Sequence, residues 1–280
     1  MSTATELLGV VDGMADETYH RHEALSSSGA RRLLPPSTPA HYRHYIDNPP
    51  PPKRAFDLGH AVHKMVLGAG QELAIVKSDN YQTKAAREAR DAAYAAGKVP
   101  LLEAEHVQAK AMTAAVRANP LAAALFNPDR GRPEQSLFWA DDQTGAALRA
   151  RLDWLPDTHD GRMVVPDLKT TVSASPTNLC KSMHEYGYYL QASFYTAGLR
   201  ALGIAEDVEF LFVFVEKEPP HLTVVRGLDY DALQAGAEDM RYAVDLFADC
   251  TASGEWPGYD NEIRYISLPP WARRNQGDPQ

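Results

Sequence analysis

The chain has 280 residues, 44% hydrophobic and 23% charged, a balance that suits one large globular domain or two small ones. Its formal net charge of −9 excludes a protein that coats nucleic acid nonspecifically, because such binding is built from lysine and arginine neutralising phosphates. Two cysteines, Cys180 and Cys250, cannot build a disulfide framework or supply four ligands to zinc or an iron–sulfur cluster, and no apolar run approaches the roughly 18 residues of a membrane span. With an acidic N-terminus that lacks the pattern of a signal peptide, a cytoplasmic protein with no membrane partner is expected.

Residues 1–18 read as a flexible tail. Ser26-Ser27-Ser28 offers hydroxyl N-caps to a short helix over 29–34, which Pro35-Pro36 stops. Four prolines at 49–52 form a stiff spacer. From Phe56 onward, Leu58, Val62, Met65 and Val66 share one face of a predicted helix. Alanine-rich segments over 84–96 and 103–118 predict two more, so 19–125 reads as mainly helical. The pattern then changes to alternation. EQSLFWAD and AALRARLDWLP flank the turn signal Asp141-Asp142-Gln143-Thr144-Gly145 and predict a β-hairpin. RMVVPDLKTT is a third strand, 179–202 a helix, VEFLFVFVEK a central strand and HLTVVRGL another. A capped helix follows from Asp229, with Leu233, Ala237, Met240, Val244 and Phe247 at core spacing. The expected class is α/β, with a mixed central sheet flanked by helices over 126–274, the helical part 19–125 in the same domain, and 275–280 as a second tail.

Charge sits where these strands should be buried. In VVPDLKTT, Asp167 and Lys169 project to one side and Leu168 to the other; alone, this is as well explained by an exposed ion pair at a strand end. In the hairpin's second strand, Arg149, Arg151 and Asp153 alternate with Leu148, Ala150 and Leu152. If the two strands pair, Asp153 approaches Asp167 and Lys169. Two carboxylates at close range repel unless a cation lies between them, and hard oxygen ligands suit Mg²⁺ or Mn²⁺. One-turn spacing also pairs Gly59 with His63 in GHAVH and Gln191 with Tyr195 in QASFY, although each pair taken alone reads as structural. Basic residues gather early, at Arg21, Arg31, Arg32, Arg43, Lys53, Arg54 and Lys64, although solvated helix faces explain most such clusters.

Taken in order, these pieces resemble the PD-(D/E)xK nuclease superfamily, specifically its exonuclease VIII (RecE-type) branch related to RecB nuclease domains. YHRHEALSSSGARRLLPPSTPAHY resembles the entry segment of that branch, GHAVH its GxxxH motif, PEQSLFW the preceding strand and RARLDWL the strand with the first aspartate. PDLKTT resembles the D-x-K strand, QASFY the QxxxY helix and EWPGYDNEIRYISLPPWARR the closing segment, so the likeness spans about 19–274. Literal Pro166-Asp167 is not the motif's PD: the first acid is Asp153, and Asp167 fills the D/E position.

The resemblance implies that His63, Asp153, Asp167 and the carbonyl of Leu168 ligate Mg²⁺, with Mn²⁺ able to substitute. Lys169 would orient or deprotonate the attacking water, and Gln191 and Tyr195 would support substrate or the Lys169 geometry. Glu134 is a candidate supporting or second-metal carboxylate; Ser26, Ser28, Arg31 and Arg151 are candidate phosphate contacts, with capping and surface charge as their structural alternative. The implied activity is a metal-dependent exonuclease on double-stranded DNA ends, 5′ to 3′, leaving 3′ single strands for recombination or annealing. The implied assembly is a homo-oligomeric ring, a tetramer being one size, beside a single-strand annealing protein in a bacterial or phage-infected cell. Two alternatives stay open. One is a RecB-like or CRISPR-adaptation-type nuclease, whose iron–sulfur cluster needs more cysteines than the chain has; the other is a noncatalytic DNA-binding or interaction module of the same fold.

Overall fold

The structure, a computed structural model, describes residues 8–157 and 161–269. Residues 1–7 of the expected N-terminal tail, the end of the closing segment at 270–274 and the expected tail 275–280 lie outside the described residues.

The N-terminal part is built from helices whose caps are written in the sequence. After the strand β1 (Gly9–Val11) and the helix α1 (Asp16–Arg21), the Ser26 hydroxyl accepts the Gly29 N–H to start α2 (Ser27–Leu33), and Thr38 caps α3 (Pro39–Asp47) in the same way. The proline spacer leads into α4 (Asp57–Leu67), closed by Gly68 in the left-handed region at φ 76°. Then come β2 (Leu73–Val76), α5 (Lys84–Ala95), β3 (Val99–Leu102), α6 (Glu103–Ala118) and α7 (Pro120–Leu125).

The α/β part opens with the predicted hairpin, β4 (Gly131–Ala140) antiparallel to β5 (Ala147–Pro156), with β1 on the other edge of β4. β6 (Met163–Thr171), α8 (Pro176–Glu185), α9 (Tyr188–Ala201), β7 (Val208–Glu216), β8 (Thr223–Arg226) and α10 (Tyr230–Ser253) complete the order. β6 pairs parallel with β7, and β7 antiparallel with β8. The architecture is therefore a mixed α/β one, as the strand pattern predicts.

The sheets carry apolar side chains on both faces, which is why the β7 segment VEFLFVFVEK reads as a near-continuous apolar run. On one face Leu152, Val165, Phe210, Phe212 and Phe214 pack with Leu190, Phe194 and Leu199 of α9 and Val244 and Phe247 of α10. On the other, Trp154, Leu168, Val213 and Val215 pack with Val62 of α4, Met112 and Val116 of α6 and Ala122 of α7. The charged segment of β6 thus lies in the middle of a layered core.

Three elements differ from expectation. Residues 9–18 are no tail: β1 pairs Val10 with Leu137, and α1 packs Tyr19 against Phe138. The mainly helical part holds a two-stranded parallel sheet, β2 with β3; four-residue strands carry too little periodicity to be read, and a proline, Pro100, sits inside one of them. The helix expected over 179–202 is two helices, broken where Gly187 takes φ 69° and the Arg31 side chain crosses it. The Arg31 guanidinium donates to the carbonyl of Glu185, at the end of α8.

Candidate active site between two sheets

The hairpin ladder is regular except at one position. Pro133 pairs with Trp154 and Gln135 with Leu152, but between them Glu134 has φ 53°, in the left-handed region, and does not pair with Asp153. A non-glycine residue there is uncommon and is held by its surroundings at some cost. The consequence is that Leu152 and Trp154, two residues apart, pack into opposite core layers, while the two acids flanking the break meet on His63. Its Nδ1 lies 3.0 Å from Glu134 Oε1 and its Nε2 3.0 Å from Asp153 Oδ1.

Asp153 also joins the two sheets. β5 and β6 run alongside each other in separate sheets, and the Leu168 N–H donates to Asp153 Oδ2 at 2.7 Å, so a carboxylate takes the role that a strand carbonyl has in a ladder. On β6, Lys169 forms an ion pair with Asp167 Oδ2 and stands 5.0 Å over the ring of Tyr188. Gln191, one turn into α9, donates its amide to Asp167 Oδ1 at 2.6 Å.

Electrostatics separate the two aspartates. Burial raises the Asp167 carboxyl, the Asp153 charge adds to this, and despite Lys169 it is pushed up to about 6. For Asp153 burial opposes ionisation, but His63 outweighs it and holds the group below its ordinary value. Burial likewise disfavours the charged forms of His63 and Lys169, yet the carboxylates win: His63 is pushed up to about 10 by Asp153 and Glu134, and Lys169 is raised by Asp167 and Asp153.

These groups floor a cavity of about 770 Å³, whose wall includes His63, Glu134, Arg151, Asp153, Leu168, Lys169 and Tyr195. Asp167 is 1% exposed and, with Gln191, lies beneath the floor rather than in it.

A family model, described as a PDDEXK-like domain of unknown function (DUF3799), matches residues 27–269. The chain belongs to this family. The match agrees with the α/β core described above. Comparison with curated proteins found no match. Among solved structures, a protein from Eubacterium rectale described as a "putative exonuclease" superposes with TM-score 0.62 at 13% identity, covering 91% of this chain and 96% of its own. That likeness shows a shared fold. A second structure, of a protein named SSO0001, gives TM-score 0.29 at 16% identity over 67% of this chain and 84% of its own, a likeness too slight to carry an argument.

In this PDDEXK-like domain the donors that a hard cation needs are gathered from α4, β4, β5 and β6. Asp167 Oδ2 is buried and paired with the Lys169 ammonium, and oxygen with imidazole donors suits Mg²⁺ or Mn²⁺. As they stand, however, the groups neutralise one another, and among the described residues no three His, Cys, Asp or Glu form a ready cage. With both ring nitrogens on carboxylates, His63 could ligate an ion only by turning from Asp153 or Glu134.

The candidate phosphate contacts have other engagements. Ser26 caps α2 and shares a hydrogen bond with Ser28, Oγ to Oγ 3.1 Å. Arg31 holds the end of α8, and Arg151 donates to Ser136, Asp16 and Met14. Of the early basic cluster, Arg21, Arg43, Arg54 and Lys64 each pair with an acid, Glu17, Asp47, Glu105 and Glu72. Sequence reasoning missed Tyr188, although it stands one turn before Gln191, and missed Asp16, Tyr19, Lys181 and Lys217, which also line the cavity. No local pattern marks these last four.

Proposed function

We propose that this PDDEXK-like domain is a metal-dependent nuclease, and that it acts as an exonuclease on the ends of double-stranded DNA. The observation that carries the reading is the convergence of Asp153 and Lys169, from two separate sheets, at the floor of an open cavity, with Asp167 directly beneath Lys169. The cavity size favours an end-acting enzyme, since pockets of roughly 300–1,000 Å³ suit one small ligand, the scale of a strand end rather than of a duplex. The name of the Eubacterium rectale protein points the same way. The resemblance to the exonuclease VIII branch supplies the finer features: 5′ to 3′ polarity, 3′ single-stranded products for recombination or annealing, a homo-oligomeric ring and a single-strand annealing partner.

In this reading Asp153, Asp167, a turned His63 and the Leu168 carbonyl would hold Mg²⁺ or Mn²⁺, which supplies acidification of the attacking water and neutralisation of phosphate charge. Lys169, aimed by Asp167 and steadied by Tyr188, orients that water and stabilises the negative charge that grows on the phosphoryl oxygens. Gln191 fixes Asp167 from below. The water oxygen bonds to phosphorus as the bond to the leaving oxygen breaks, and the leaving oxygen takes a proton.

Digestion of 5′-labelled and 3′-labelled linear duplex, with and without Mg²⁺, tests this reading. Early release of the 5′ label, with a covalently closed circle left intact, is expected. Cutting of the circle would remove the exonuclease assignment, and inertness toward every substrate with Mg²⁺ and Mn²⁺ would remove the nuclease one.

A further inference from the structure

The family match begins at residue 27, yet the chain before it forms part of the candidate site. β1 extends the hairpin sheet through Val11, opposite Ser136, and α1 brings Asp16, Tyr19 and His20 into the cavity wall. Asp16 and Tyr19 share one partner, Arg151. Its Nη1 donates to the Asp16 carboxylate, its Nη2 to the Met14 carbonyl at 2.8 Å and its Nε to Ser136 Oγ at 3.0 Å. The guanidinium lies 4.3 Å over the centroid of the Tyr19 ring.

A second carboxylate stands beside it, with Glu134 Oε2 4.0 Å from Arg151 Nε, while the other Glu134 oxygen holds His63. The charges therefore alternate along a row from Asp16 through Arg151, Glu134 and His63 to Asp153. Arg151 is largely buried and needs a counter-ion, and a guanidinium binds a carboxylate best through two parallel hydrogen bonds. Without Asp16, its remaining acidic neighbour is Glu134. Closing that 4.0 Å gap would pull Glu134 from His63 and release the imidazole from its place against Asp153.

We infer that Asp16 is a positioning residue of the candidate active site, engaging Arg151 so that Glu134 stays on His63. The inference rests on the nuclease reading above. Two measurements on Asp16→Ala test it: calorimetric titration of the metal-free protein with Mn²⁺, and digestion kinetics of linear duplex. Loss of a group that orients a ligand typically costs about 10- to 100-fold in metal affinity or activity, so a fall of roughly 10-fold in Mn²⁺ affinity and in kcat is expected, with little change in KM for DNA. Asp16→Glu, which keeps the charge, should restore most of both. In a Glu134→Gln background Asp16→Ala should have no further effect, because its route to the metal is already cut. Wild-type affinity and kcat in a folded Asp16→Ala variant, or additive effects in the double variant, would overturn the inference. If Asp16→Ala does not fold, the isosteric Asp16→Asn is measured against the same outcomes. Absence of Mn²⁺ binding by the wild-type chain would sink the nuclease reading and this inference with it, whereas binding that Asp16→Ala leaves unchanged sinks this inference alone.

Discussion

Two acid–base pairs hold this molecule together in different ways. At the hairpin turn, Asp141 receives Arg241 of α10 through both oxygens, at 2.8 and 3.1 Å, and the Thr144 hydroxyl and N–H at 2.7 and 2.9 Å. These donors outweigh burial and depress its carboxyl below the ordinary value. Beneath the cavity floor, Asp167 has one amide donor on Oδ1 and one ammonium on Oδ2, and it feels the Asp153 charge. The first carboxylate is satisfied, though Arg241 Nε is buried without a hydrogen-bond partner among the described residues, and the pair ties the turn to α10. The second stands beside an open cavity with its carboxyl pushed up, the features of a candidate site.

The contrast breaks hardest at the aspartates. Asp153→Asn or Asp167→Asn keeps the shape and removes one charge from the proposed metal-holding set. Digestion should fall by more than roughly 10³-fold, beyond the usual loss for a single electrostatic donor, while far-UV circular dichroism stays that of the wild type. Digestion at wild-type rate in either variant would take the metal assignment away from that residue.

A smaller effect is expected at Lys169. Lys169→Met keeps the stem and deletes the charge, so turnover at saturating Mg²⁺ should fall by roughly 10² to 10³ with DNA still bound. If added Mg²⁺ restores the rate, lysine merely balances the carboxylates. Lys169→Arg should not rescue, because a planar guanidinium does not replace a compact ammonium in position.

The smallest effect belongs to the Asp141 pair. Asp141→Asn should leave digestion unchanged and cost about 1 kcal/mol, the scale of a partly exposed ion pair with hydrogen bonds. The carboxyl is depressed in the folded state, so its contribution is complete above the ordinary value of 3.8 and is lost below it, as pH falls through the depressed folded value. Denaturation of variant and wild type should therefore differ at pH 7 and converge in acid. A gap that persists at low pH would mean that Asp141 acts through shape rather than charge.

The hairpin, its turn, both buried strands and the capped helices come from local rules, since Ser26, Thr38 and Asp229 each cap the helix that begins after them and alternation runs through β4 and β5. That Asp167 shares a face with Lys169, and Gln191 with Tyr195, was legible because spacing of two on a strand and four on a helix fixes which side chains share a face; that these faces belong together was implied only by the family resemblance. Other features depend on the path of the chain through space. Glu134 takes its left-handed φ only because β5, His63 and Arg151 hold it there. Gly187 breaks a helix that local propensity would continue, because Arg31 crosses at that point. The first strand and α1 are ordered by contacts such as that of Asp16 with Arg151, 135 residues away along the chain. Periodicity, propensity and capping act over a few residues, so the sequence by itself determined the elements and the motif faces. Tertiary structure alone decided which carboxylate turns to the histidine and which lies beneath the floor, because burial and charge pairing belong to the packed chain and not to any segment of it.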